Sequence, residues 1–177
     1  LLKQTADNLG RGFRAIKMKV GRDNMSEDIA RVGEMRKFLG DGFALMVDAN
    51  MRWGVDQAIR AARKLRDFDL VWLEEPTIPD DFAGHARILQ EGGVPLATGE
   101  NLHSLHEFDH LISAGGVTYP EPDVSNCGGI TVWMKVAALA AVRNLQVTSH
   151  GVHDLHVHLL AAVSNASYLE AHGCGLE

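Results

Sequence analysis

The sequence predicts a parallel α/β fold, a (β/α)8-type TIM barrel, and three observations carry that prediction. Short apolar runs ending in polar residues or glycine alternate strictly with amphipathic helical patterns along all 177 residues, the arrangement of parallel βα units. The apolar runs are nearly continuous, as expected of strands covered on both faces. Finally, Asp48, Glu74, Glu100, Asp123, His150 and Glu170 follow one another at intervals of 26, 26, 23, 27 and 20 positions. Each interval is about one βα unit, so these side chains recur at the C-terminal ends of successive strands, where barrel enzymes place their chemistry. An open sheet would spread them along a line; a closed barrel gathers them about one centre.

Taken in order, a leading helix over 1–11 precedes the first strand, FRAIKMKVG, over 13–21. A helix over 27–39 follows, with Ser26 as its expected N-cap. FALMVDAN (43–50) is the second strand, a helix over 55–66 comes next, and LVWLEEP (70–76) is the third strand. That strand ends in two adjacent carboxylates, and burying either unpaired would cost several kcal/mol or force protonation, so a cation or an open strand end is expected there. A helix over 81–90 leads to VPLATGEN (94–101), then to a helix over 104–113, which Ser104 caps with Glu107 three residues on in a capping-box pattern. VTYPEPDV (117–124), a helix over 130–144, LQVTSHG (145–151), a helix over 153–163 and SYLEAHG (167–173) complete the series. Seven strands are thus visible. A closed barrel would lack its first strand and its last helix, and the two unpaired edges this leaves are what natural folds avoid, so the chain reads as a piece of a longer protein.

The composition, 46% hydrophobic and 23% charged, suits one domain with one buried core. A formal net charge of -6 and the lack of any Lys/Arg run argue against nucleic acid as a partner. No apolar run approaches the roughly 20 residues of a membrane span and no signal-peptide pattern opens the chain, so no membrane partner and a cytoplasmic location are expected. Cys127 and Cys174, without metal-site spacing, read as plain thiols. VGRDNMS after the first strand carries no phosphate-binding glycine pattern, which removes support for a nucleotide site.

Asp48, Glu74 and Glu100 are three carboxylates on neighbouring strand ends. All-oxygen ligation selects a hard cation, and three ligands with room for water or substrate suit Mg²⁺ better than a closed Ca²⁺ cage. Lys17 and Lys19 point to one side of their strand, because side-chain direction repeats every two residues. Two ammonium groups held close disfavour each other's charge, which makes a lysine a usable base near neutral pH. Asp123 and His150 stand on consecutive strands, where an Asp can orient an imidazole and raise its basicity. Four histidines crowd SHGVHDLHVH, and a zinc hydrolase on a similar barrel is the competing enzyme reading. Against it, His153 onward should wind into a helix, on which His153, His156 and His158 serve as N-terminal and interface polarity. A non-catalytic barrel acting as a binding or assembly module is the remaining alternative.

KMK, VDAN, WLEEP, TGEN, EPDVSNCGGIT, TSHG and YLEAHG, in that order, resemble the barrel domain of the enolase superfamily, in the mandelate racemase/muconate lactonizing enzyme family and its mandelate racemase subgroup. The resemblance runs from Phe13 to Gly173 and identifies 1–177 as a C-terminal catalytic barrel domain without the N-terminal capping domain and first barrel strand. It implies Asp48, Glu74 and Glu100 as Mg²⁺ ligands, Lys19 as base on one face with Lys17 tuning it, and His150 with Asp123 as acid/base on the other. It implies further that Glu170 hydrogen-bonds the substrate carboxylate and its enolate, that Asn50 contacts substrate or a metal-bound oxygen, and that Glu75 supports Glu74 while Pro76 turns the chain outward. Asn126 stands where some relatives carry Lys. The implied reaction is removal of the proton α to a carboxylate, and the KxK pair, VDAN and SNCGGIT look most like the acid-sugar dehydratases, with racemases, epimerases and cycloisomerases as alternatives. A small-molecule acid sugar as substrate and a homo-oligomer follow from the same resemblance.

Overall fold

Residues 1–171 are described by the computed structural model, in which two compact units can be told apart, Leu1–Ile78 with Arg87–Pro95, and Pro79–Ala86 with the chain from Leu96 onward. The first unit contains helix α1 (Leu2–Gly10), strand β1 (Ala15–Lys19), helix α2 (Met25–Leu39), strand β2 (Ala44–Asp48), helix α3 (Val55–Leu65) with a 3-10 turn at Arg66–Phe68, and strand β3 (Leu73–Glu74). Helix α4 (Phe82–Gly92) begins in the second unit and ends in the first. β1 pairs parallel with β2 and β2 with β3, in a register that sets Lys19 beside Asp48 and Asp48 beside Glu74. The level inferred from spacing is therefore a hydrogen-bonded register in this unit. Met18, Leu45, Val47 and Leu73 from the strands and Val32, Met35, Ile59, Ala62 and Leu65 from the helices are buried, and β2, covered on both faces from Leu45 onward, is apolar up to its last residue, Asp48.

One expected cap is corrected. Asn24 rather than Ser26 begins α2: its backbone is extended and its side-chain oxygen accepts the Ser26 N–H at 3.0 Å. Ser26 lies inside the first helical turn, because the short Asn side chain satisfies that orphan N–H two residues earlier.

The second unit contains strand β4 (Leu96–Thr98), helix α5 (Leu105–Ser113), strand β5 (Tyr119–Pro120), helix α6 (Ile130–Val142) and helix α7 (His153–Ala161). β4 and β5 are parallel, Thr98 beside Pro120. Phe108, Leu111, Trp133, Val136, Ala137 and Val147 form its buried core. Ser104 caps α5 as expected, its hydroxyl oxygen accepting the Glu107 N–H at 3.3 Å. Glu107 returns to the His103 N–H at 2.6 Å, one residue before the position a capping box would use.

Among the described residues, the expected sixth and seventh strands share one parallel bridge, Val147 with Ala166. Side-chain hydroxyls replace the ladder beyond it: Thr148 Oγ1 donates to the Tyr168 carbonyl at 2.8 Å, and Ser149 Oγ accepts the Glu170 N–H at 3.3 Å. His172 and Gly173 of the expected last strand, and Cys174, lie outside the described residues. Among the described residues no helix is long and apolar enough to cross a membrane.

Candidate active site

In the first unit the candidate side chains leave the C-terminal ends of three paired strands. Alternation along β1 sends Lys17 and Lys19 to one side, as expected, and each ammonium meets a carboxylate: Lys17 bonds Glu74 and Lys19 bonds Asp48. Asp48 and Glu74 are fully buried, and a buried carboxylate requires just such cationic compensation. The Trp72 indole N–H donates to the second oxygen of Glu74 at 2.8 Å. Asp48 also accepts the Asn50 backbone N–H at 2.8 Å, which folds the VDAN loop back over its own strand end.

The backbone here is strained. Asn50, Met51 and Glu75 have φ values of 42°, 60° and 40°, in the left-handed region that costs a non-glycine residue about 1–2 kcal/mol. Hydrogen bonds from Met51 N–H to the Glu75 carbonyl (2.7 Å) and from Trp53 N–H to the Pro76 carbonyl (3.2 Å) hold both loops in this form. The adjacent acids of LEEP thus have separate duties: Glu74 faces the lysine, and Glu75, also buried, straps its loop to the neighbouring one through its carbonyl.

In the second unit the central feature is a hydrogen bond of 2.9 Å between His150 Nδ1 and Asp123 Oδ2. The other Asp123 oxygen accepts the Ser125 hydroxyl at 2.6 Å and the Ser125 N–H at 2.8 Å. Burial pushes the Asp123 carboxyl upward, but the Ser125 and His150 hydrogen bonds outweigh it and hold Asp123 below its ordinary value. An ionised Asp123 can only accept, so the neutral imidazole carries its proton on Nδ1 and keeps Nε2 as the basic nitrogen. Nε2 lies 3.5 Å from a Glu100 carboxylate oxygen.

Glu100 and Glu121 each place a carboxylate oxygen within 4.8 Å of the other. Two carboxylates so close favour a cation beside them. Asn126 donates from its amide to the Glu100 carbonyl at 2.8 Å. Glu170 accepts the Gly151 N–H at 3.0 Å, which ties the last site carboxylate to the residue after His150. Gly151 has φ of 59°, and a Cβ there would stand 3.2 Å from Asp123 Oδ2, so a side chain would press on the Asp–His pair.

Several participants were not foreseen from the sequence. Glu121 sits between two prolines at the end of β5, two residues before Asp123, and a strand-end acid was its available signal. Trp72 shares the face of Glu74 by strand alternation. Ser125 and His156 gave no periodic signal. His156 is also a correction: it is fully buried, with Val124 N–H bonding Nε2 and the Gly151 carbonyl on Nδ1, so it is not interface polarity. Both its nitrogens are committed to backbone, and among the described residues no set of histidines converges to hold a metal, which leaves the zinc-hydrolase reading without a site. Cys127 is a free buried thiol pushed up to about 11 by burial, in keeping with a plain thiol.

Residues 1–176 match the family model described as Enolase C-terminal domain-like. A 3,6-anhydro-alpha-L-galactonate cycloisomerase from Streptomyces coelicolor is 61% identical over 176 residues, covering 99% of this chain and 49% of the relative. A racemase from Streptomyces coelicolor A3(2), solved with bound magnesium, superposes with a TM-score of 0.95 at 60% identity over 97% of this chain and 48% of that one. An L-talarate dehydratase from Polaromonas sp. JS666, solved with Mg and L-glucarate, gives 0.88 at 42% identity over 92% of this chain and 45% of that one. The chain spans about half the length of the curated relatives it matches. These likenesses bear out the fold class and the superfamily expected from the sequence motifs.

Proposed function

The chain belongs to the Enolase C-terminal domain-like family, and from that premise we propose that its full-length protein removes the proton α to the carboxylate of an acid sugar and expels the oxygen at C3. Abstraction of the α-proton is the superfamily's chemistry; the assignment of the second half-reaction to these residues is supported by one observation above the others, the 2.9 Å Asp123–His150 hydrogen bond, which engages Nδ1 and leaves His150 Nε2 as the nitrogen that takes up and gives the proton.

Asp48, Glu74 and Glu100 would hold magnesium. The donor set fits a hard cation: every ligand atom is a carboxylate oxygen, and the structure already gives Asp48 and Glu74 an ammonium partner each. When bound, the ion supplies positive charge where the enediolate's negative charge develops. Lys19, as free amine, takes the C2 proton, and Lys17 sets the charge around it. His150, as imidazolium oriented by Asp123, delivers a proton from Nε2 to the departing oxygen as the C3–O bond breaks. Glu170, as the carboxylic acid, donates its O–H to the substrate carboxylate, Asn50 holds the substrate over the strand ends, and the resulting enol tautomerises to a 2-keto-3-deoxy acid.

The leaving oxygen decides the reaction's name. Expulsion of a 3-hydroxyl loses water and is a dehydration; expulsion of a 3,6-anhydro ring oxygen keeps that oxygen tethered at C6, so the product is an isomer. The first reading follows from the motifs, and the second is favoured by the 61% identity to a cycloisomerase of a 3,6-anhydro sugar acid. Full-length protein with Mg²⁺ is to be screened against both substrate classes, reading 2-keto acid formation and loss or retention of water by mass. His150→Asn should abolish turnover, and unchanged turnover in that variant would remove His150 from the mechanism.

A further inference from the structure

We propose that His156 is a positioning residue for the Asp123–His150 pair, acting as a neutral, tautomer-specific bridge between the two loops that carry them. The inference rests on the acid/base role assigned to His150. His156 lies in α7 and is fully buried. Its Nε2 meets the Val124 N–H at 3.0 Å and its Nδ1 meets the Gly151 carbonyl at 2.8 Å. Val124 follows Asp123 and Gly151 follows His150, so the bridge grips each loop one residue beyond a member of the pair. Trp133 also ties down the loop that carries Asp123: its indole N–H donates to the Pro122 carbonyl at 3.0 Å, and its ring lies 6.1 Å from the His156 ring, tilted by 46°.

The partners dictate the proton. A backbone N–H can only donate and a carbonyl can only accept, so His156 must accept at Nε2 and donate from Nδ1–H. Either the other tautomer or an imidazolium would set N–H against the Val124 N–H. Because a displacement of about 1 Å at such a pair can cost about 100-fold in rate, a bridge adjacent to both members affects turnover more than substrate binding.

Two measurements on the full-length protein test this. Long-range proton–nitrogen NMR of the unsubstituted protein should find His156 neutral with its proton on Nδ1. In His156→Phe, which keeps the ring volume and loses both bonds, kcat with Mg²⁺ should fall about 10- to 100-fold with KM little changed. The His150 Nδ1 proton resonance should shift as the bond to Asp123 loosens, and His156→Gln, which can both donate and accept, should recover part of the loss. A His156 proton on Nε2 overturns the proposal, as does a Phe variant with unchanged kcat and unchanged His150 resonance. Should the Phe variant fail to fold, the tautomer decides alone. If His150→Asn retains turnover, the acid/base reading falls, while the tautomer and the His150 resonance still report whether His156 positions the pair.

Discussion

Arg36 shows how a single buried charge can hold a fold together through backbone carbonyls alone. It lies in α2 with 9% exposure, and its guanidinium donates to four backbone carbonyls: Phe68 (2.9 Å), Gly40 (3.0 Å), Phe43 (2.8 Å) and Asp69 (2.9 Å). A planar fork with five N–H groups reaches four acceptors at once; an ammonium cannot. Arg36→Lys should therefore destabilise the protein by about 2 kcal/mol or more, seen as a lower urea midpoint at unchanged slope. A midpoint equal to the unsubstituted protein's would show that these carbonyls need no guanidinium. Asp28 plays the complementary part, its carboxylate accepting the Gly21 and Arg22 N–H groups at 2.8 and 2.7 Å and so fixing the loop after Lys19.

At the scale of elements, the loops leaving the strand ends are tied by local devices. Helix α5 follows the β4 end that bears Glu100, and its start depends on Ser104 and Glu107. Ser104→Ala removes one capping acceptor and should cost about 1 kcal/mol, measurable as a drop in Tm. Glu107 would still reach the His103 N–H, so a loss far above that figure would mean the hydroxyl does more than cap the helix. The sixth and seventh segments were expected as full strands but, among the described residues, share a single bridge, with Thr148 and Ser149 hydroxyls completing the pairing. Hydroxyl bonds fix the two segments at particular points, as at Ser149 beside Glu170, without a continuous ladder.

For the whole molecule, the proposed magnesium ligation makes stability depend on the ion. An ion bound only by the folded chain stabilises it by mass action. At a free Mg²⁺ concentration about 100 times Kd, the full-length protein should gain about 2.7 kcal/mol, lost again on adding chelator. Differential scanning calorimetry with and without Mg²⁺ measures it, and Asp48→Asn should shrink the gain. No Mg²⁺-dependent shift at any concentration would sink the ligand assignment.

The sequence by itself determined the alternation of strands and helices, the level of Lys19, Asp48 and Glu74, and the pairing of Asp123 with His150. These are legible because side-chain direction along a strand and the length of a βα unit are local, repeating properties of the chain. Tertiary structure alone decided that Glu121 stands beside Glu100 and that His156 joins two loops. His156 and Val124 are 32 positions apart, and no periodic pattern marks a nitrogen for a backbone group at that distance. Hydrogen-bond partners of buried polar atoms are set by which loops the packed core brings together, and that is a property of the folded chain.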